Sequence, residues 1–228
     1  MQPHPHSLSA PTLRAVLFDL DGMLIATRRL TLTSYAQALA PYLGYTPSEH
    51  EIMAKSPRAV RAFLADMVAP SNLPACLEQF YGAYETLHVT HFQGIYSGVI
   101  DMLTSLRQLG LALAIVTGKS RRAWNMSAKH INLGPIASWV FDDDVAEMQP
   151  HPAGIHLALE RLQLAPLQAI YLGDSLTGVE AAQAAGVVPG AVLWPKRAAE
   201  IASFTHEAVV RGAASSPPQR VWWTSACV

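Results

Sequence analysis

Two carboxylates one residue apart, Asp19 and Asp21, stand where the apolar run Arg14-Ala15-Val16-Leu17-Phe18 stops, and Gly22 follows to permit a sharp turn. Paired acids at the end of a buried strand suit phosphate chemistry with magnesium, which favours a shell of carboxylate, carbonyl and water oxygens. Asp in a tight turn also serves structure alone, by bonding nearby backbone amides. Thr117-Gly118 follows a second apolar run, Leu111–Val116, and offers a hydroxyl and an unhindered amide to phosphate oxygens. Gly118-Lys119-Ser120 is similar to the end of a nucleotide-binding P-loop, but the first glycine of such a loop would fall on Leu113. Gly173-Asp174-Ser175 closes a third run, Ala169–Leu172, so Asp19, Asp21 and Asp174 are the candidate Mg2+ ligands, with Thr117 and Gly118 for the substrate phosphate.

These residues need a scaffold that brings distant strand ends together. The three runs, with Gly190–Trp194 and a weaker Ser138–Phe141, are short and continuously apolar, the pattern of strands buried on both faces. Helical patterns alternate with them at Ser97–Leu109, Arg121–His130, Pro152–Leu162 and Gly178–Ala185, with Gly110 and Gly186 placed as stops. The alternation predicts an α/β fold, a Rossmann-like parallel sheet whose carboxyl strand ends collect ligands. Residues 28–94 interrupt it with helical patterns near Thr33–Leu43, Ser48–Lys55, Arg58–Met67 and Leu73–His88, an α-helical subdomain inserted in the core. The division is then a disordered leader at 1–11, a core of 12–27 and 95–212, the insert at 28–94, and an irregular tail at 213–228 carrying Trp222-Trp223. One more helix is expected after Trp194.

Composition narrows the partners. Half of the 228 residues are hydrophobic, 14% are charged and the net charge is −1, so no basic surface argues for nucleic acid. No apolar stretch is long enough to cross a bilayer. Cys76 and Cys227 are the two cysteines and lie far apart, which supports neither a disulfide framework nor a cysteine zinc site and fits a reducing cytoplasm. A small molecule is the expected partner, and a monomer or a homodimer is compatible with the low charge.

From Arg14 to about Pro195 the chain resembles the haloacid dehalogenase-like (HAD) superfamily, specifically its phosphoglycolate phosphatase-like members with a helical cap inserted after the first motif. The resemblance implies that Asp19 attacks phosphorus, that Asp21 is general acid and base, that Thr117 binds phosphate and that Asp174 binds magnesium. It implies a small phosphorylated metabolite as substrate; a phosphomutase of the same fold is the lesser alternative. The second acid separates the chain from dehalogenases, which attack carbon and lack it. In the cap, Ala54-Lys55-Ser56-Pro57-Arg58 matches a loop that touches substrate in relatives, so Lys55 and Arg58 are candidate anion contacts; a solvated helix end is the competing reading.

Two positions depart from the family. Gln149 stands where a lysine usually precedes Pro-x-Pro, and Gly178 stands where the last motif usually ends in aspartate. Together they remove one positive and one negative charge, which marks them as a coupled change. Gln149 keeps an amide donor, weaker toward phosphate than an ammonium, and Lys119 is the nearest substitute cation in sequence. A fold-retaining binder of a phosphorylated ligand or protein, with weakened or absent catalysis, is the contrasting reading. His88 and His91 lack a carboxylate at metal spacing, His151 and Asp142-Asp143-Asp144 read mainly as turn and cap residues.

Overall fold

The computed structural model describes residues 12–57, 59–192 and 209–210. At its centre lies β1 (Ala15–Phe18), every residue buried, flanked in parallel register by β2 (Ala112–Val116) and β4 (Ala169–Gly173). The pairs Phe18↔Ile115 and Phe18↔Leu172 bring the three strands to their carboxyl ends at one level. The sheet continues as β3 (Ser138–Val140) on one side, and as β5 (Val188–Val192) and β6 (Val209–Val210) on the other, in the order β3-β2-β1-β4-β5-β6. All five pairings are parallel, as the continuous apolar runs predicted.

Alternation along β1 splits the core into two layers. Ala15 and Leu17 face a cluster with Tyr171 and the apolar sides of α7 (Ala153–Leu162) and α8 (Leu176–Ala184). Val16 and Phe18 face Val99 and Leu103 of α5 (Val99–Gln108) on the other side. The turn after β1 is anchored in this second layer, where Leu20, Met23, Leu24 and Ile25 are fully buried.

Between β1 and α5 the chain forms α1 (Arg28–Leu43), α2 (Glu49–Ala54), α3 (Val60–Met67) and α4 (Leu73–His91). They pack on a core of their own in which Tyr35 meets Phe63 edge-on at 4.6 Å and Phe80 at 4.8 Å. Two helix ends here have a local cause: Gly44 stops α1 in the left-handed region, and a Ser48/Glu51 capping box opens α2. The chain enters and leaves this unit side by side. Ile25 bridges Ile95, and the Ala26 N–H donates to the Gly94 carbonyl at 2.8 Å.

Expected elements are found, with shifted bounds. The first insert helix begins at Arg28 rather than Thr33, α4 runs on to His91, and α6 (Arg121–Ser127) stops short of His130. The last core run starts at Val188 and includes Pro189, and the short β6 is a strand that sequence pattern did not predict. The leader, the helix expected after Trp194 and the tail with Trp222 and Trp223 lie outside the described residues apart from β6. No helix among the described residues is long and apolar enough to cross a membrane.

The insert meets the core along a polar seam between α4 and α6. Tyr81 donates to Ser120 Oγ at 2.9 Å, and Ser127 Oγ lies 3.2 Å from Tyr84 Oη and 3.1 Å from His88 Nε2. His88 is buried and stacks on His130 at 4.5 Å. Burial, then the charges of His130, Lys119 and Lys129, push its pKa from 6.5 down to about 4. The folded chain therefore holds His88 neutral while the unfolded chain takes up a proton, so stability is lost as pH falls from about 6.5 toward 4. Thermal melts across that window should show wild type losing more stability than His88→Gln, and parallel curves would refute the assignment.

Candidate active site

Asp19 is the residue that β1 delivers to the edge of the sheet. Its N–H donates to Leu172 O at 2.8 Å, which continues the ladder, and its carboxylate accepts the Leu20 N–H at 2.6 Å and a hydrogen bond from Thr117. Burial pushes its pKa up to about 8, reinforced by Asp174 and, less strongly, Asp21, against the pull of those two donors. Such a group gains from any cation that comes within reach.

Gly22 turns the chain at φ +78°, and a Cβ placed there would lie 2.4 Å from Asp174 Oδ2. The glycine is thus required both by its left-handed backbone and by the close approach of Asp174, which follows β4. The same turn sends Asp21 toward the insert. Its carboxylate accepts from Thr27 Oγ1 at 2.8 Å and from Lys119 Nζ at 3.1 and 3.0 Å.

Thr117 ends β2 and is buried, and its hydroxyl oxygen accepts the Lys119 N–H at 3.2 Å. Gly118 follows with Met148 as its nearest distant neighbour, 3.9 Å from where a Cβ would be. Lys119 itself is 5% exposed, and its ammonium also donates to Tyr84 Oη at 2.7 Å. Burial works against its charge, but Asp21 and Tyr84 overcome that and raise its pKa above the usual lysine range. The cation at this site is Lys119, and it sits on Asp21.

Gln149 donates from Nε2 to Tyr171 Oη at 3.0 Å. Tyr171 is fully buried, and its hydroxyl pKa is raised by that burial and by the charge of Asp19, against the Gln149 bond. A Cβ on Gly178 would lie 2.7 Å from the same oxygen and 3.0 Å from Tyr171 Cε1. The two departures from the family pattern therefore meet on one group. Tyr171 fills the room a larger side chain at 178 would need and anchors the amide at 149.

The remaining candidates stand apart from this cluster. Lys55 is exposed as the C-cap of α2, and Arg58 lies outside the described residues. His151 is turned to Glu147, at 3.1 Å. Asp143 accepts the Arg121 N–H at 2.8 Å and Asp144 pairs with the Arg121 guanidinium, so these two serve the start of α6. Burial, then Asp143, pushes Asp142 up to about 7. Sequence reasoning passed over Tyr171, Tyr84 and Thr27. A phenol inside a strand buried on both faces is a signal, because its hydroxyl must find a partner there; Tyr84 and Thr27 carry no comparable mark.

Three adjacent parallel strands followed by Asp19, Thr117 and Asp174, beneath a helical insert, define the class: a Rossmann-like α/β core with an acidic site at its carboxyl strand ends. The model of the haloacid dehalogenase-like hydrolase family matches residues 16–192, and the chain belongs to that family. It is 33% identical over 203 residues to the pyrophosphatase PpaX of Bacillus pumilus, covering 87% of this chain and 91% of that one. It is 30% identical over 214 residues to the phosphoglycolate phosphatase of Xanthomonas campestris, covering 90% and 94%. A solved structure from Lactobacillus plantarum, assigned as a phosphoglycolate phosphatase, superimposes with a TM-score of 0.75 at 25% identity, covering 88% of this chain and 95% of that one.

Tyr171 sets a clear expectation for position 178. Glycine to alanine within a helix ordinarily stabilises by about 0.5–1 kcal/mol. Here the added carbon meets a buried hydroxyl, and overpacking of that kind costs about 1–3 kcal/mol. Urea unfolding should show Gly178→Ala destabilised, with part of the loss recovered in a Tyr171→Phe background. Equal losses in both backgrounds would show that the hydroxyl is not what fills the space.

Proposed function

We propose that the protein is a magnesium-dependent phosphatase of a small phosphorylated metabolite, acting through an aspartyl-phosphate on Asp19. The reading rests on one observation: Asp19, buried and bonded by Thr117, faces Asp174 while Asp21 is held beside it by Lys119. Asp19 attacks phosphorus as the bond to the leaving oxygen breaks, and Asp21 gives that oxygen its proton. Asp21 then takes a proton from water, which attacks the same phosphorus and frees the Asp19 carboxylate. Thr117 and the Gly118 amide hold the phosphate oxygens.

The residues fit a divalent cation. Asp19 is pushed up to about 8, in part by an acid neighbour, which is the signature of a site short of positive charge. Among the described residues no three His, Cys, Asp or Glu side chains are gathered as a ready-made cage. Asp19 and Asp174 would hold the ion, with the rest of its shell left to carbonyl, phosphate and water oxygens, a usual arrangement for magnesium. Asp21, its oxygens occupied by Lys119 and Thr27, would add its charge once it has given up its proton. When bound, the ion supplies charge neutralisation for the transferring phosphoryl group.

The relatives point to a compact substrate. The space lined by Thr117, Met148 and Gln149 holds about 10 Å³, room for one water-sized group, and neither Asp19 nor Asp174 lines it. Pyrophosphate and phosphoglycolate, the compounds named for the relatives, set the size of substrate proposed, and Lys55 and Arg58 are the proposed contacts should the insert close further. The binder reading keeps one observation in its favour: Gln149 is neutral and tied to Tyr171.

Phosphate release from p-nitrophenyl phosphate, phosphoglycolate and pyrophosphate tests the proposal. Turnover should require Mg2+, vanish in Asp19→Asn and fall by about 10²–10⁴-fold in Asp21→Asn. Wild type without turnover, or Asp19→Asn with turnover intact, would sink the phosphatase reading. Activity found only in Gln149→Lys/Gly178→Asp/Tyr171→Phe would favour the binder.

A further inference from the structure

Lys119 makes contacts that belong to two parts of the molecule. Its ammonium reaches both oxygens of Asp21 in the core, at 3.1 and 3.0 Å, and Tyr84 Oη on insert helix α4, at 2.7 Å. The bonding does not end at Tyr84. Its hydroxyl lies 3.2 Å from Ser127 Oγ, which in turn lies 3.1 Å from His88 Nε2. Five side chains, Asp21, Lys119, Tyr84, Ser127 and His88, thus form one line that crosses from core to insert, back to α6 and into the insert again.

Donor and acceptor capacities allow the line to run in one direction. An ammonium only donates, so Tyr84 Oη accepts from Lys119 and its own hydrogen is available for Ser127 Oγ. The Ser127 hydrogen can then go to His88 Nε2 in the tautomer that leaves a lone pair there. Neighbouring Ser120 is fixed to the same helix through Tyr81 at 2.9 Å.

We propose that Lys119 is a positioning residue for Asp21, held on that carboxylate by Tyr84, so that seating of the helical insert on the core is read out at the acid–base group. This rests on the phosphatase reading for the role of Asp21. A lysine stem has many rotamers, and one carboxylate partially open to solvent selects poorly among them. The phenol above it removes that freedom. When α4 lifts, Tyr84 leaves with it, and the ammonium loses the contact that keeps it on Asp21.

The test combines kinetics with an activity-free measurement. With p-nitrophenyl phosphate and Mg2+, Tyr84→Phe should lower kcat about tenfold with KM changed less than about twofold, a coupling of ordinary size for contacting groups. Lys119→Met should lower kcat at least as far, and Tyr84→Phe/Lys119→Met should be no worse than Lys119→Met alone. Independent, multiplying losses would overturn the proposal. So would a Tyr84→Phe effect confined to KM. In parallel, urea unfolding of Tyr84→Phe, Asp21→Asn and the pair should be non-additive, with Lys119, bonded to both, as the link. That non-additivity should disappear in a Lys119→Met background. Additive energies with Lys119 present would overturn the proposal whether or not the protein turns over substrate. An inactive wild type with an intact cycle would defeat only the phosphatase reading.

Discussion

Two aspartates, Asp19 and Asp174, brought together after neighbouring parallel strands are the constraint around which this molecule is arranged. Parallel register puts Asp19, Thr117 and Asp174 at one level, and the Gly22 turn lets Asp174 approach the acid pair more closely than any side chain at that turn would allow. Burial, reinforced by the charge of Asp174 and less strongly by Asp21, pushes the pKa of Asp19 up to about 8. Every polar neighbour answers that charge: the Leu20 N–H and Thr117 at Asp19, Thr27 and Lys119 at Asp21. The sheet supplies the geometry, and the loops supply the compensation.

The helical insert enters this electrostatic arrangement through the phenol of Tyr84. A buried ammonium is stable only where its charge and its hydrogens are both used, and Asp21 leaves hydrogens to spare. Tyr84 takes one of them, and also presents its ring to Lys119 at 4.8 Å from Nζ to centroid. The seam of Tyr81, Tyr84 and His88 against Ser120 and Ser127 is therefore polar where the interior of the insert, around Tyr35, Phe63 and Phe80, is aromatic. An apolar seam would pack as well but would leave Lys119 with an unmet donor.

Legibility in the sequence followed the physics of each feature. Buried parallel strands are continuous apolar runs, so β1, β2 and β4 and the acids after them could be read directly, and with them the α/β class. Helix ends blurred because α1 starts in the polar stretch Arg28-Arg29 and α4 continues through Val89-Thr90-His91, where no cap residue marks the boundary. β6 is two residues long and carries no periodicity at all. Asp19, Asp21, Thr117 and Asp174 were found because each follows a strand. Tyr171 and Tyr84 act across the fold, through partners 22 and 35 residues away, and no local pattern announces such pairs.

The exchange at positions 149 and 178 can be placed on the same footing. Replacing a lysine and an aspartate by Gln149 and Gly178 leaves the summed charge unchanged, so at distances beyond the Debye length of about 8 Å the field is nearly that of the usual pair. What differs is short-range. The amide of Gln149 is directed by the hydroxyl of Tyr171, which also occupies the room beside Gly178, so one neutral hydrogen bond at 3.0 Å stands where the family pattern has two charged residues. On the proposed mechanism, attraction of a cation to Asp19 and Asp174 depends on the net charge around them, which the exchange leaves unchanged. Stabilisation of the transferring phosphoryl group depends on a donor at contact distance, and there a neutral amide is weaker than an ammonium. The coupled change therefore falls on the chemical step rather than on the affinity for metal, and it leaves Lys119, fixed on Asp21 by the insert, as the buried cation nearest to the reaction.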